Sequence, residues 1–187
     1  LSPSSAASDV YKRQPVVVHV LTKKGRGYEP ASAHPDRFHG TGPFDIKTGR
    51  VLQKKTVPGY TDVFSKALVS LGEKNKKLTA ITAAMPDGTG LVEFSRRFPD
   101  RFFDVGIAEE TAVALASGIA ANGGKPVWGV YSTFVQRTYD QIAQDLCINN
   151  NAATIVTFWG TVYGMNDVTH LGLYDIPMMA NIPNLVY

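Results

Sequence analysis

Hydrophobic and polar positions follow two patterns along this chain, one typical of strands and one typical of helices, and the two patterns alternate from residue 61 onward. Short continuous apolar runs, each typical of a buried strand, occupy residues 78–83, 102–105, 125–131, 154–158 and 184–187. Apolar residues with helical spacing predict helices that begin near residue 61 and cover residues 91–98, 108–122, 133–149 and 174–180. Strands that alternate with helices predict an α/β fold with a doubly wound parallel sheet.

Several helix ends are predicted from single residues. Thr61 and Thr133 each precede a helical pattern, and a threonine hydroxyl can accept a hydrogen bond from the free N–H groups of a first turn. Gly123 and Gly124 end the alanine-rich helix 108–122, whose first turn contains Glu109. Acidic residues in a first turn also stabilise the helix dipole, and the local pattern alone favours this simpler role for Glu109.

The carboxyl ends of neighbouring parallel strands meet at one edge of a sheet, where ligands of open α/β sheets bind. The loops after strands 102–105 and 125–131 are predicted to present Glu109, Tyr131, Phe134 and Arg137 at this edge. Phe134 could equally pack in the core, and Arg137 could equally serve as an ion-pair partner.

The first 59 residues lack this alternation. Residues 1–14 are serine-rich and poor in acids, match nothing in the rest of the pattern, and are expected to be disordered and artefactual. Residues 15–21 form a continuous apolar run, which predicts a buried parallel strand. Residues 22–59 are rich in glycine and proline without a sustained period, which is typical of a linker or a functional segment.

Composition narrows the class of protein. Hydrophobic residues make up 44% and charged residues 19% of the 187 residues, which is typical of a globular protein. No apolar run approaches the ~20 residues of a membrane helix, and the basic residues are not interleaved with aromatic ones as in nucleic-acid-binding proteins. Cys147 is the single cysteine and is expected to be buried and unreactive, which agrees with a cytoplasmic location.

Several motifs resemble one family, in order and over residues 15–187. They are Thr-Lys-Lys-Gly-Arg-Gly-Tyr-Glu-Pro at 22–30, Phe-His at 38–39, Ala-Ile-Thr-Ala-Ala-Met at 80–85, Phe-Ser-Arg-Arg-Phe-Pro-Asp-Arg at 94–101, Gly-Ile-Ala-Glu at 106–109, Tyr-Ser-Thr-Phe-Val-Gln-Arg at 131–137, Tyr-Asp-Gln at 139–141 and Thr-His at 169–170. The family is that of the 1-deoxy-D-xylulose-5-phosphate synthases, thiamine-diphosphate enzymes of the transketolase superfamily.

The resemblance implies a domain organisation. Residues 15–58 would be the end of a diphosphate-binding domain and a linker, and residues 59–187 would be a pyrimidine-binding domain that is truncated at its C-terminal end. The chain would thus be a fragment, expected to be inactive by itself. The ligands of the Mg²⁺ ion that holds the diphosphate would lie before Pro15, so no metal ligand is expected within the chain.

The implied reaction decarboxylates pyruvate and joins the remaining two-carbon unit to D-glyceraldehyde 3-phosphate. Its products are 1-deoxy-D-xylulose 5-phosphate, which is used for isoprenoid precursors and vitamins including thiamine, and CO2. A homodimer with no nucleic acid or membrane partner is expected.

The resemblance also assigns roles to individual residues. Glu109 matches the carboxyl that hydrogen-bonds the aminopyrimidine of the cofactor and favours removal of the C2 proton, which requires a largely dehydrated pocket. The remaining roles are catalytic for His170 and His39, cofactor-binding for Tyr28, Ile107, Tyr131, Phe134 and Arg137, and substrate-binding for Tyr131, Asn166, Asp167 and His170.

Three departures from the family pattern suggest a divergent member with an altered acceptor pocket. Glu110 and Thr111 replace the usual Gln-His after Glu109. Trp159 stands where the family places an arginine near the substrate phosphate, and the acid of the following loop is displaced by one position to Asp167.

Three other interpretations stay open. The chain could come from a transketolase-like enzyme with another acceptor, or from a 2-oxo-acid dehydrogenase-type subunit, against which the linker motif at 22–30 argues. It could also be a non-catalytic module that retains the fold, which Glu110, Thr111 and Trp159 favour.

Overall fold

The computed structural model of the protein describes residue 15 and residues 17–52, 57–160, 170 and 172–187. The chain divides into two compact units, residues 1–56 and Val57–Tyr187. The assignment of the first unit to a diphosphate-binding domain with its linker stays a prediction. Within the described residues, no helix is long and apolar enough to cross a membrane.

The first unit is built around three aromatic rings. Its helix α1 (Glu29–Ala33) follows Tyr28, whose ring lies 5.6 Å from that of Phe38 and 5.9 Å from that of Phe44. Phe44 also forms an isolated antiparallel bridge with Val51. The aromatic contacts therefore close a compact loop in a segment that lacks a regular hydrophobic period.

The strand predicted at residues 15–21 is wrong for the described residues of that run. Val17 and Leu21 are 96% and 83% exposed, and no strand forms there. A buried parallel strand needs neighbouring strands for its backbone and packed side chains on both faces. None of the described residues of the first unit provides them.

The second unit contains the predicted parallel sheet, which has four of the five predicted strands. Its strands are β1 (Leu78–Thr82), β2 (Phe102–Asp104), β3 (Lys125–Tyr131) and β4 (Thr154–Phe158). The order across the sheet is β2-β1-β3-β4, and all three pairs are parallel. β1 and β3 are central and almost entirely buried, which accounts for their continuous apolar sequences.

Helices cover both faces of this sheet, which confirms the doubly wound α/β class. They are α2 (Tyr60–Lys74), α3 (Val92–Arg97), α4 (Glu109–Ala121), α5 (Ser132–Val135), α6 (Tyr139–Gln141), the π-helical segment Ile142–Ile148 and α7 (Asp175–Met179). Ala80 of β1 joins one core with Leu68 and Phe94, whereas its neighbour Ile81 joins the opposite core with Val113. Successive strand residues therefore supply two separate cores.

Two predicted helix caps are wrong. α2 begins at Tyr60, one residue before Thr61, and the carboxylate of Asp62 accepts a hydrogen bond of 2.7 Å from the backbone N–H of Gly59. α5 begins at Ser132, so Thr133 lies inside it. At α2, the acid of the first turn thus bonds back to the residue before the helix, as in a capping box.

The helix predicted over residues 133–149 is also not continuous. α5 is followed by a 3₁₀ turn (Gln136–Thr138), then by α6 and the π-helical segment. The hydroxyl of Thr138 donates to the carbonyl of Val135 at 2.7 Å, and the backbone of Thr138 leaves the helical region with φ −117°. A threonine that bonds the preceding turn tends to bend a helix.

The strand predicted at 184–187 does not form. Asn184 has a φ of +67°, which a strand excludes, and its side-chain amide donates to the carbonyl of Cys147 at 3.2 Å. The asparagine thus satisfies a carbonyl near the end of the π-helical segment. Cys147 itself is buried, as expected, and burial raises the pKa of its thiol.

Candidate functional site

The strand order locates a crevice at the carboxyl edge of the sheet. The chain passes from β1 to β2 on one side of the sheet and from β3 to β4 on the other. The connections that leave the neighbouring strands β1 and β3 therefore lead in opposite directions. Ligands of open α/β sheets bind at such a point. The loop 83–90 after β1 and the residues from Tyr131 onward after β3 therefore frame the candidate site.

Asp104, the last residue of β2, fixes two of the loops at this edge. Its Oδ1 accepts hydrogen bonds from the backbone N–H of Ala84 at 2.8 Å and of Gly106 at 3.0 Å. Both acceptor contacts reach residues with positive φ, +58° at Ala84 and +71° at Gly106. The turn at Gly106 leads directly into α4, so Asp104 determines where the first turn of that helix begins.

Glu109 stands in the first turn of α4 and is only 3% exposed. Its Oε1 accepts a hydrogen bond of 2.7 Å from Nη1 of Arg137, whose side chain is 44% exposed. The guanidinium of Arg137 also lies over the ring of Phe134, 4.8 Å from its centroid. A buried carboxylate is thus paired with a cation that reaches the surface of the site.

Four aromatic side chains form a continuous wall beside this pair. The rings of Tyr131 and Phe134 are nearly parallel, 9° apart, with centroids separated by 6.1 Å. The ring centroids of Trp159 and Tyr131 are 5.9 Å apart. The ring of His170 meets that of Phe134 edge-on, with the centroids 5.3 Å apart. We call Trp159, Tyr131, Phe134 and His170 the aromatic wall.

The loop after β1 holds the hydroxyl end of Tyr131. A Cβ atom on Gly88 would overlap the hydroxyl oxygen of Tyr131, so this contact requires glycine. Burial raises the pKa of the Tyr131 hydroxyl, and the negative charge of Asp87 raises it further. The hydroxyl therefore keeps its proton at neutral pH and can donate a hydrogen bond into the crevice.

The structure brings together five of the residues predicted for the site: Glu109, Tyr131, Phe134, Arg137 and His170. Ile107 lies in the loop before α4 and is 81% exposed. Asn166 and Asp167 are outside the described residues. The roles assigned to all these residues stay predictions.

Tyr28 and His39, the two remaining predicted residues, belong to the first unit. The hydroxyl of Tyr28 donates to the carbonyl of Ile46 at 2.8 Å, and Nδ1 of His39 lies 2.6 Å from Nζ of Lys24. An ammonium group only donates hydrogen bonds, so in this contact Nδ1 accepts and the proton of a neutral His39 is on Nε2.

Sequence reasoning missed three contributors to the site. Asp104 positions the loop before Glu109, and its only sequence signal is an acid at a strand end before Val-Gly. Gly88 lies against the hydroxyl of Tyr131, and its only signal is the glycine-rich loop after β1. Ser132 is 3% exposed, and its hydroxyl has no hydrogen-bond partner among the described residues. Trp159 was noted only as a departure, whereas its φ of +59° and its contact with Tyr131 make it part of the wall.

Two kinds of known protein resemble this chain. It is 52% identical to the 1-deoxy-D-xylulose-5-phosphate synthase of Natranaerobius thermophilus and 51% identical to that of Pelotomaculum thermopropionicum, and in both cases the match covers 94% of this chain. The chain spans 28% of the length of these relatives.

Among solved structures, a chain titled "Split gene transketolase, inactive beta4 tetramer" superposes with a TM-score of 0.56 and 28% sequence identity. The superposition covers 66% of this chain and 40% of the other. Residues 57–187, which contain the whole sheet and its site, match the model of the pyrimidine-binding domain of transketolase. The chain therefore belongs to the transketolase pyrimidine-binding domain family, and its predicted resemblance to the 1-deoxy-D-xylulose-5-phosphate synthases is confirmed.

Proposed function

We propose that this chain supplies the pyrimidine-binding part of a 1-deoxy-D-xylulose-5-phosphate synthase. The enzyme would decarboxylate pyruvate and join the two-carbon unit to D-glyceraldehyde 3-phosphate, giving 1-deoxy-D-xylulose 5-phosphate and CO2. The observation that carries this proposal is the buried carboxyl of Glu109 beside the aromatic wall, at the switch point of the sheet.

The residues present fit an aminopyrimidine. Such a ring needs an apolar face to stack on and a carboxyl that can share a proton with a ring nitrogen. Phe134 and Tyr131 offer nearly parallel aromatic faces. Oε1 of Glu109 accepts the hydrogen bond from Arg137, so Oε2 is the oxygen that would meet a ligand.

Thiamine diphosphate, when bound, would supply a thiazolium carbon that loses its proton and stabilises the negative charge which forms beside it. Glu109 would hydrogen-bond the pyrimidine nitrogen and share a proton with it, in a pocket from which burial excludes water. Phe134 would contact the ring face. Tyr131 would donate a hydrogen bond from its hydroxyl to a substrate oxygen, and His170 would contact the substrate as a catalytic residue.

The complete enzyme would need groups beyond this site. We assign Mg²⁺ and its ligands to a diphosphate-binding domain, as the resemblance to the synthases implies. By the resemblance, Tyr28 and Ile107 would each bind the cofactor, His39 would be catalytic, and Asn166 and Asp167 would contact the substrate. Two copies would form a homodimer in the cytoplasm.

By itself, the chain would be inactive and would bind thiamine diphosphate weakly, because the charged diphosphate contributes much of the affinity of such a ligand. The name of the similar split-gene transketolase structure describes an inactive tetramer, which is consistent with this expectation. Calorimetry of the isolated chain tests it. Micromolar affinity that depends on Mg²⁺ would contradict this division of the site.

The same fold could also serve a non-catalytic module, the alternative that Glu110, Thr111 and Trp159 favour. Glu110 and Thr111 are exposed on α4, whereas Glu109 is buried. Turnover that depends on Glu109 would exclude this alternative.

The decisive experiment replaces Glu109 with glutamine in the complete protein. Glu109→Gln should lower kcat about 10²- to 10⁴-fold, as for other general acid–base groups, while changing the affinity for thiamine diphosphate far less. Glu110→Gln is the matched control, since its carboxylate is exposed, and it should keep nearly full turnover. Near-normal turnover of Glu109→Gln would rule out the proposed role.

A further inference from the structure

The ion pair of Glu109 and Arg137 joins two parts of the site that are 28 residues apart in sequence. Glu109 is almost fully buried, whereas the Arg137 side chain is 44% exposed. Hydrogen bonds to ionised groups are the shortest and strongest in proteins, and this one measures 2.7 Å between Nη1 and Oε1. The orientation of the carboxyl plane of Glu109 therefore depends on where the guanidinium is held.

The guanidinium is itself held from a second direction. It lies over the ring of Phe134, three residues earlier, at 4.8 Å from the centroid. Arg137 belongs to the 3₁₀ turn that the hydroxyl of buried Thr138 ties to the carbonyl of Val135. The turn, the ring and the carboxylate thus fix the position of Arg137 together.

We propose that Arg137 is a positioning residue, which binds Oε1 of Glu109 so that Oε2 is directed toward the nitrogen of a bound pyrimidine. This inference rests on the proposed function of Glu109. It assigns Arg137 a different task from framing the cofactor pocket, because the arginine acts through the carboxyl of Glu109. It also separates Arg137 from the substrate phosphate, since the guanidinium is already held by an anion and a ring.

The test uses the complete protein loaded with thiamine diphosphate and Mg²⁺. The exchange of the C2 proton of the bound cofactor for deuterium, followed by NMR after acid quench, reports on Glu109 without any substrate. Arg137→Met should slow this exchange about 10- to 100-fold, the usual cost of losing an outer partner that orients a functional ligand. Arg137→Lys keeps a charge without the planar fork and should recover part of the rate.

A double-mutant cycle identifies the route of the effect. In the Glu109→Gln background, Arg137→Met should change the exchange rate less than about threefold, because the carboxyl through which it acts is gone. Arg97→Met is the matched control, since Arg97 forms an exposed ion pair of 2.9 Å with Glu73, and it should leave the exchange unchanged. KM for glyceraldehyde 3-phosphate should also stay unchanged in Arg137→Met.

The outcomes separate this inference from the function on which it rests. If Glu109→Gln leaves C2 exchange unchanged, the proposed role of Glu109 is wrong. If Glu109→Gln slows exchange but Arg137→Met does not, only the positioning role is wrong. A raised KM for the phosphorylated acceptor with normal exchange in Arg137→Met would show that Arg137 binds the substrate phosphate, and equal losses in both backgrounds would show that it acts independently of Glu109.

Discussion

Two arginines of the second unit lie over phenylalanine rings, and they perform different tasks. The guanidinium of Arg101 is 4.1 Å from the ring centroid of Phe98, and that of Arg137 is 4.8 Å from the ring centroid of Phe134. Arg101 donates to three backbone carbonyls, those of Gly72, Asn75 and Leu78, at 2.9 to 3.2 Å. Arg137 donates instead to one buried carboxylate.

The surroundings of the two arginines differ in the same way. Around Arg101, the close approach of Phe94 and Phe98 leaves no room for a side chain at Gly72, and the hydrogen bonds satisfy carbonyls at the end of α2. In the part of the site that includes Arg137, Trp159 has a positive φ of +59°, and the buried hydroxyl of Ser132, next to Tyr131 in sequence, has no hydrogen-bond partner among the described residues. The first region is organised for packing, whereas the second keeps polar groups that stability alone does not require.

The largest expected effect in this comparison is on stability. Arg101→Met should lower the free energy of unfolding by about 3 kcal/mol, because three carbonyls lose a charged donor. Arg137→Met should cost only about 1–2 kcal/mol, since water can reach the half-exposed end of the pair. Urea unfolding of the cofactor-free protein measures both changes, with the exposed pair variant Arg97→Met as a control expected to cost less than about 1 kcal/mol. Equal losses for the two arginines would remove the distinction.

The next effect concerns the choice of acceptor at the aromatic wall. Trp159 contacts Tyr131, whose hydroxyl is affected by the negative charge of Asp87. The positive charge of Arg137 is already paired with the carboxylate of Glu109. We expect the enzyme to prefer glyceraldehyde 3-phosphate over glyceraldehyde less sharply than relatives with an arginine at this position. Because an arginine–phosphate contact contributes roughly 1.5–3 kcal/mol, Trp159→Arg should sharpen the preference about 10- to 100-fold.

The ratio of kcat/KM for the two aldehydes measures this preference, with Trp159→Phe as the control that keeps an aromatic ring without a charge. If the unmodified enzyme already has the full preference and Trp159→Arg adds nothing, the phosphate is bound elsewhere.

A smaller effect should follow from the contact between the β1 loop and Tyr131. Gly88→Ala would push the Tyr131 hydroxyl out of its position, and we expect about a tenfold loss in kcat/KM, the scale of a weakened hydrogen bond. Gly118→Ala in α4 is the matched control, because nothing lies within 4 Å of its added Cβ. It should leave the kinetics unchanged and raise stability by about 0.5–1 kcal/mol. Normal kinetics in Gly88→Ala would show that Tyr131 does not contact substrate.

The smallest effect is a change in the titration of Tyr131. Its pKa is raised by burial and by Asp87, so the stability contributed by the neutral hydroxyl is present below the unfolded pKa of about 10 and is lost as pH rises through the folded value. Asp87→Asn should lower the Tyr131 pKa and so narrow the pH range over which this stability is lost. Absorbance near 295 nm follows the phenolate, and Tyr131→Phe identifies the signal, since the pKa of Tyr187 is also raised, chiefly by burial. An unchanged Tyr131 titration in Asp87→Asn would contradict the assigned cause.

Local sequence patterns were sufficient to predict the α/β class, the four strands of the sheet and the placement of Glu109 at a helix start. Continuous apolar runs are buried wherever they have neighbours, and Gly106 and Gly123 mark chain reversals that depend on their own backbone. The same reasoning failed at residues 15–21 and 184–187, because an apolar run becomes a strand only when another strand pairs with it.

Only the tertiary structure decided which side chains act together. The strand order β2-β1-β3-β4 brings the loop after β1 to Tyr131, and the start of α4 to Arg137, across separations of 43 and 28 residues. Helical spacing in the sequence could suggest that Arg137 has an ion-pair partner, but not that the partner is the buried Glu109. Contacts of this kind depend on how the strands are arranged, and each strand pattern fits several arrangements equally well.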